Sequence, residues 1–241
     1  MEKSNTYIFS YSVILVVVVA AVLSFTAFSL KEKQQANIRN EKMQNILMSI
    51  NITVDAKNAE QAYNTYITET FIVKANGDVL PYVLKKEGKA IDTIRAFDVD
   101  MKSLYDMPVS ERTYPIFTAL KNDTTFIIIP LRGKGLWGPV WGYISLNEDI
   151  NTVNGAIFDH KGETPGLGAE ISKPKFSDQF KNKQIFDNTG KFTSIQVIKG
   201  GAGDNIHAVD GISGGTITSV GVNDMIDTCL SGYVKYFELI K

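Results

Sequence analysis

An α+β fold is predicted for this chain, with a single N-terminal transmembrane helix and a domain that has a mostly antiparallel sheet and flanking helices. Three observations predict it. No charged residue occurs from Ser4 to Leu30, although 21% of the chain is Asp, Glu, Lys or Arg. Short β-type segments separated by turn signals follow, which favours antiparallel pairing over alternating βαβ units. Helical periodicity returns near the C-terminus.

The composition excludes several functional classes. The 241 residues carry 25 Lys and Arg against 26 Asp and Glu, so a net charge of −1 provides no basic face, and no nucleic-acid partner is expected. One cysteine excludes an intrachain disulfide and a four-cysteine metal cluster built by this chain alone. The two histidines are far apart in the sequence, and no metal site is expected.

The first element is a membrane anchor. Tyr7–Leu30 contains 24 residues, which as a helix span about 36 Å, enough for a hydrocarbon core of roughly 30 Å. The alternative is a cleaved signal peptide, whose apolar region of about 7–15 residues ends in a small-residue cleavage site. The greater length favours a retained anchor, residues 1–30, in contact with membrane lipid. A domain of residues 31–241 follows.

The charges around the anchor bear on its orientation. Lys3 precedes the apolar run, and Lys31, Lys33, Arg39 and Lys42 follow it. Because cytoplasmic flanks carry an excess of Lys and Arg, this count taken alone places the domain in the cytoplasm. Large domains can cross the membrane regardless of such charges.

The next segments along the chain predict two helices and then strands. Helical spacing over 31–50 indicates a helix that leaves the membrane and docks on the domain, and a second helix is predicted over 57–67. Thr70–Lys74 and Val79–Leu84 flank Asn76-Gly77, which predicts a hairpin with a tight turn. Ile94–Val99 predicts a further strand.

The remaining predicted elements lie around Arg132–Pro139, a stretch rich in glycine and proline. Strands are predicted at Phe126–Leu131 and Trp141–Leu146, on either side of that stretch, and at Ile157–His160 and Phe192–Ile198. An amphipathic helix is predicted from Thr218 to Leu239. Cys229 lies on its apolar stripe and is interpreted as a buried, inert thiol.

Familiar nucleotide and protease signatures are absent from the sequence. There is no G-x-x-x-x-G-K-[ST] motif, and Gly200–Gly203 lacks the third spaced glycine of a dinucleotide fingerprint, so NADH is not expected to bind this chain. His160-Lys-Gly-Glu163 is not the H-E-x-x-H of a zinc protease. No acid, base or nucleophile constellation is visible, and no catalytic residue is assigned.

Two loops remain as candidate sites. Glu163–Glu170 has two glycines around a leucine, after a proline, which predicts a compact loop whose backbone approaches a flat ligand closely. From its residues alone, an ordinary strand-to-helix turn is the favoured interpretation. Asp210–Ser219 has several hydroxyls at a predicted helix start, where free N–H groups favour a phosphate. Thr218 or Ser219 as a simple N-cap is the alternative.

The second loop resembles the site of covalent flavin attachment in the FMN-binding domain family. That motif reads S-G-[AG]-T followed by [IL]-T-S and preceded by Asp-Gly, and this chain has S-G-G-T-I-T-S after Asp210-Gly. The resemblance implies an FMN joined to Thr216 through a phosphoester. It places four further residues in the cofactor site: Ser213, Gly214, Gly215 and Thr218. Gly215 stands where alanine is usual, which removes bulk and loosens the backbone.

Three further segments resemble one branch of that family, the NqrC proteins of sodium-translocating NADH:quinone reductases. They are E-T-P-G-L-G at 163–168, G-L-W-G at 135–138 with W-G-Y at 141–143, and Q-N-I-L at 44–47. The first implies a flavin-contacting loop with Glu163, Thr164, Leu167 and Gly168. Trp137 is the candidate for contact with the flavin ring, and a core aromatic between strands is the equal alternative.

The resemblance implies an electron-transfer subunit of a multi-subunit membrane complex that oxidises NADH, reduces quinone and pumps Na+, with those three sites on other subunits. A separate flavin transferase of the ApbE type would attach the FMN. In the family the flavin domain faces the periplasm of the bacterial inner membrane. This contradicts the flanking charges, and we follow the four ordered motifs. The alternatives are an RnfG-like flavoprotein of the Rnf complex and a non-redox, membrane-anchored sensor or ligand-binding domain.

Overall fold

The computed structural model describes residues 4–80, 84–86, 89–92 and 96–241, and the α+β prediction is confirmed. The chain forms two compact units, Met1–Lys42 and Met43–Lys241. This division is based on the contacts within each unit. The predicted boundary between residues 30 and 31 is based on the end of the apolar run, and it stays a prediction.

Helix α1 spans Asn5–Ser49. It is the one helix among the described residues that is long and apolar enough to cross a membrane, and its most apolar window has a mean hydropathy of 2.8 with no buried residue. The last turns belong to the second unit, where Met43, Ile46 and Leu47 are buried. The Q-N-I-L segment therefore has a packing role: its leucine and isoleucine enter the core, and Gln44 Nε2 donates to the Val54 carbonyl at 2.7 Å.

The second unit contains the remaining regular elements. In chain order they are α2 (Ala59–Tyr66), β1 (Ile67–Lys74), β2 (Leu84–Lys86), β3 (Lys89–Asp92), α3 (Met101–Asp106), β4 (Thr113–Lys121), β5 (Thr124–Lys134), β6 (Pro139–Leu146), β7 (Val153–His160), α4 (Pro174–Ser177), β8 (Gln196–Ile198), β9 (Ala208–Asp210), α5 (Thr216–Ser231) and α6 (Val234–Ile240). Short 3-10 helices cover Ala96–Asp98, Val109–Glu111, Gly168–Ser172 and Asp178–Phe180.

A five-stranded antiparallel sheet in the order β1-β4-β5-β6-β7 forms the centre of this unit. Its strands alternate between two apolar layers, as the two-residue period of a strand requires. On β5, Ile128 packs with Ile46, Leu47 and Phe117, whereas its neighbour Ile129 packs in the cluster that contains residues of α5 and α6. The sheet thus buries a core on both faces.

Helix α5 lies unusually close to strand β5 because both elements carry glycine at the contact. A Cβ on Gly133 would lie 2.6 Å from the Met225 Cβ, and a Cβ on Gly221 would overlap the Lys134 carbonyl oxygen. These glycines let the helix backbone approach the end of β5. The start of α5 is consequently held beside the segment that follows β5, the G-L-W-G segment.

Most predicted elements match the structure, and α2, β5, β6 and β7 confirm the corresponding segments. The hairpin is present as far as Leu80, since Val79 pairs with Val73 and the Leu80 N–H donates to the Ile72 carbonyl. Residues 81–83 of its second strand lie outside the described residues. The segment predicted over Phe192–Ile198 is a strand only from Gln196, with Phe192 in an isolated bridge to Phe186.

Two expectations were wrong. The strand predicted at Ile94–Val99 is a 3-10 helix over Ala96–Asp98, and residues 94–95 lie outside the described residues. The helix predicted as continuous from Thr218 to Leu239 begins at Thr216 and is interrupted after Ser231. At the interruption Gly232 packs against the Tyr114 ring, where a Cβ would overlap it. Tyr233 then turns inward, and its hydroxyl donates to the Pro115 carbonyl at 2.9 Å.

Cys229 is fully buried on α5, as its position on the apolar stripe predicts. The Arg132 N–H donates to its sulfur at 3.3 Å, and the thiol donates to the Arg132 carbonyl at 3.5 Å. Burial raises the pKa of the thiol from its ordinary value of 9.0 to about 11. The thiol is therefore a protonated core group at neutral pH.

Candidate functional site

The start of α5 is built by a glycine turn. Gly214 has φ +75°, a left-handed conformation that suits glycine, and the Gly215 N–H donates to the Ile212 carbonyl at 3.0 Å. Gly215 is the N-cap, with no side-chain cap, and Thr216 is the first helical residue. Neither Thr218 nor Ser219 caps the helix, so the simple N-cap interpretation is wrong. The N–H groups of the first turn remain available for an anion.

The four hydroxyls of this segment have different environments. Ser213 and Thr216 are exposed. Thr218 is 1% exposed and donates to Glu163, and Ser219 is buried and accepts the Ile212 N–H at 2.9 Å. The two exposed hydroxyls are therefore free to meet a ligand, whereas the two buried ones hold the loop in place.

A cavity of about 630 Å³ opens beside Thr216. This volume lies within the range of roughly 300–1,000 Å³ that small-molecule sites occupy. It is lined by the turn before α5, with Ser213 and Gly214, by Ser219 of the helix, and by a glycine-rich loop after β8. The complete lining is Val197, Lys199, Gly200, Gly201, Asp210, Gly211, Ile212, Ser213, Gly214, Thr216, Ser219 and Val220.

The glycine-rich wall is a feature that sequence reasoning missed. Gly200 and Gly201 both have left-handed φ values, +96° and +102°, and Lys199 precedes them. Asp210 holds this wall because its carboxylate accepts the Ala202 N–H. The G-G-A-G sequence lacks a dinucleotide fingerprint, and no other motif in the sequence marked this loop.

The loop after β7 approaches the same turn from the other side. The N–H groups of Leu167 and Ala169 both donate to the Thr164 carbonyl at 3.1 Å, and Gly166 has φ +75°. These bonds make the compact loop that the sequence predicts. Leu167 lies over Gly214, since a Cβ there would be 2.6 Å from Leu167 Cδ2.

Glu163 joins the separate parts of the site. It is 4% exposed, its Oε1 accepts the Trp137 N–H at 2.8 Å, and its Oε2 accepts the Thr218 hydroxyl at 2.5 Å. The three motif segments at 135–138, 163–168 and 213–219 therefore meet at one carboxylate. Both carboxylate oxygens are already occupied by protein donors.

Apolar side chains are exposed on all three segments. Trp137 is 67% exposed, so the core-aromatic interpretation is wrong, and its ring is available for a ligand. Leu136, Leu167 and Ile217 are also exposed. Trp137 and Leu167 do not line the 630 Å³ cavity, whereas Ser213, Gly214 and Thr216 do.

These residues fit a phosphate ester that carries a flat, partly apolar group. Hydroxyls, helix N–H groups and a lysine suit the phosphate, and the glycine turn leaves space that a Cβ would fill. The described residues contain no group of three or more His, Cys, Asp or Glu placed to hold a metal ion.

Comparisons with known proteins agree with this geometry. A family model described as "FMN-binding domain" matches residues 135–231. The NqrC protein of the Na(+)-translocating NADH-quinone reductase of Haemophilus ducreyi is 31% identical over 217 residues, covering 88% of this chain and 84% of that protein.

Solved structures give the same relationship. The crystal structure of the corresponding reductase protein from Parabacteroides distasonis superposes with a TM-score of 0.73 at 47% identity, covering 86% of this chain and 96% of that one. NqrC from Shewanella oneidensis has a TM-score of 0.66 at 24% identity over 84% of this chain and 97% of that one, which supports the fold alone. The chain belongs to the NqrC family, one of the subunit families of Na(+)-translocating NADH-quinone reductases.

Proposed function

We propose that this chain is the NqrC-type electron-transfer subunit of a membrane NADH:quinone reductase that pumps Na+, and that it carries FMN on Thr216 through a phosphoester. One observation carries the attachment site: Thr216 is an exposed hydroxyl at the first position of α5, on the wall of a 630 Å³ cavity. The matched FMN-binding segment, residues 135–231, contains it.

The residues of the site divide into two groups. Ser213, Gly214 and Gly215 form the turn that receives the phosphate, with Lys199 of the glycine-rich loop as a cation. Trp137, Thr164 and Leu167, all exposed, are the candidates for contact with the ring.

Three buried residues belong to neither group and support both. Glu163, Gly168 and Thr218 are buried and pack against each other, since a Cβ on Gly168 would meet both other side chains. They hold the loops in place. Bound at Thr216 by its phosphate, the FMN supplies one-electron transfer through a ring that stays free.

Attachment requires a second protein. A flavin transferase of the ApbE type, using FAD and magnesium, would catalyse attack of the Thr216 hydroxyl oxygen on the flavin-side phosphorus. The new O–P bond replaces the pyrophosphate bond, AMP leaves, and the hydroxyl proton passes to the transferase. Exposure of Thr216 supports this, because the acceptor must enter another protein's active site.

The proposed setting is the bacterial inner membrane, with one membrane span and the flavin domain on the periplasmic side. The apolar part of α1 supports the span. The other subunits of the complex are the partners, and they hold the sites for NADH, sodium and quinone.

The attachment is tested by in-gel fluorescence. The full chain is expressed with the transferase, denatured, and viewed under ultraviolet light. We expect a fluorescent band for the wild type and for Thr228→Ala, the matched control, an exposed threonine of α5 that does not line the cavity. Thr216→Ala should abolish the band completely. Fluorescence that survives Thr216→Ala contradicts the assignment.

A further inference from the structure

The Glu163 carboxylate is a buried charge placed where the flavin site is assembled. Its two donors, the Trp137 N–H and the Thr218 hydroxyl, lie 26 and 55 residues away in the sequence. The Glu163 N–H donates in turn to His160 Nδ1 at 3.1 Å. Glu163 is thus fixed at both its backbone and its side chain.

Two glycines leave the space that this carboxylate fills. A Cβ on Gly135 would lie 2.5 Å from Glu163 Oε1, and a Cβ on Gly168 would lie 2.6 Å from Glu163 Oε2. Contacts this short are not made by real Cβ atoms, so any other residue would displace the carboxylate. One glycine in each of the two loop motifs is therefore explained by Glu163.

The donors that hold Glu163 are neutral. Each oxygen accepts a hydrogen bond, as an ionised carboxylate does. Within the described part of the chain, no Lys or Arg forms an ion pair with Glu163. Because Glu163 is buried, its charge is screened less by water than that of a carboxylate on the open surface.

We infer that Glu163 is a positioning residue of the flavin site and that its negative charge lowers the reduction potential of the flavin on Thr216. This inference rests on the function proposed above. The carboxylate bonds to residues on both sides of the proposed site: it accepts the N–H of Trp137, the candidate for ring contact, and the hydroxyl of Thr218, two residues after Thr216 in α5. Reduction would transfer one electron to the flavin from a redox centre of another subunit, which is oxidised; no bond in the protein would change, and the carboxylate would oppose the added negative charge.

The experiment is a spectroelectrochemical titration of the purified full chain carrying its flavin, with Glu163→Gln as the variant. Glutamine keeps the size and one acceptor for the Trp137 N–H, but it removes the charge. We expect the midpoint potential to move in the positive direction. The matched control is Glu170→Gln, a half-buried residue of the same loop that accepts the Gly166 N–H, which should leave the potential near the wild-type value.

Thr218→Val separates charge from geometry. It removes a donor to Glu163 but keeps the carboxylate, so the potential should stay unchanged or move in the negative direction. If Thr218→Val shifts the potential in the positive direction as Glu163→Gln does, the hydrogen bond between Thr218 and Glu163 sets the potential, not the charge, and the inference fails.

The remaining outcomes are also decisive. A Glu163→Gln protein that carries flavin at the wild-type potential overturns the inference. A Glu163→Gln protein that is folded by circular dichroism but carries no flavin also overturns the inference, because Glu163 then serves only the attachment of the flavin. The fluorescent band of each denatured variant separates these results from failure of the attachment at Thr216 itself.

Discussion

Thr216 and Thr218 are identical residues two positions apart, and the fold gives them opposite environments. Thr216 is exposed beside the cavity, whereas Thr218 is buried and donates to Glu163. Residue types in the segment could not separate them, and only the resemblance to a flavinylation motif singled out Thr216. The role of Glu163 as a joint between three loops was not predictable, because its partners are distant in the sequence and meet only in the folded sheet.

Cys229 gives a prediction at the same scale. Its thiol pKa is raised by burial to about 11, so we expect no alkylation by iodoacetamide at pH 8 in the folded protein and complete alkylation in urea. Because the folded state favours the protonated thiol, its contribution to stability is present below the ordinary pKa and is lost as the pH rises toward about 11. Mass spectrometry of the labelled chain measures this, and rapid labelling without denaturant would contradict it.

At the scale of elements, alternation and glycine turns predicted most of the strands. Strand β4 was missed because Pro115 interrupts its pattern, yet it is an inner strand of the sheet, where the Pro115 carbonyl accepts the Tyr233 hydroxyl. The end of α5 was also missed, and the residues just after it make contacts with the same strand: Gly232 lies against the Tyr114 ring, and the Tyr233 hydroxyl bonds to Pro115. Tertiary contacts decide both cases.

The contact between α5 and β5 carries a second prediction. Glycine to alanine inside a helix normally stabilises by about 1 kcal/mol. At Gly221 the added methyl would overlap the Lys134 carbonyl, so we expect Gly221→Ala to destabilise the domain by about 1–3 kcal/mol. Thermal unfolding in detergent measures the change. Gly162→Ala, where a Cβ meets nothing within 4 Å, is the control with no expected loss. A Gly221→Ala protein as stable as this control contradicts the close approach.

The whole molecule combines an uncharged apolar run, Ser4–Leu30, with a following part of nearly balanced charge. The sequence predicted this division, because a run without charges is visible without any tertiary information. The sequence does not decide on which side of the membrane the domain lies. The flanking charges favour the cytoplasm, and the family resemblance favours the periplasm; those charges are Lys31, Lys33, Arg39 and Lys42.

A topology reporter decides the orientation. Alkaline phosphatase needs disulfides and is active only outside the cytoplasm, so we expect activity when it is fused after Lys241. Green fluorescent protein exported unfolded is dark, and the matching fusion should not fluoresce. An inactive phosphatase together with a fluorescent partner fusion would place the domain in the cytoplasm.

The surface position of Thr216, Trp137 and Leu167 has a consequence for the rate of electron exchange. A flavin bound at Thr216, as proposed above, would lie among exposed residues, where a neighbouring redox centre can approach it directly. We expect the rate to depend on how closely and how often a neighbouring redox centre docks against this face. The viscosity of the solvent and the arrangement of the subunits in the complex would then control the rate of electron transfer to the flavin more than internal motion of this subunit.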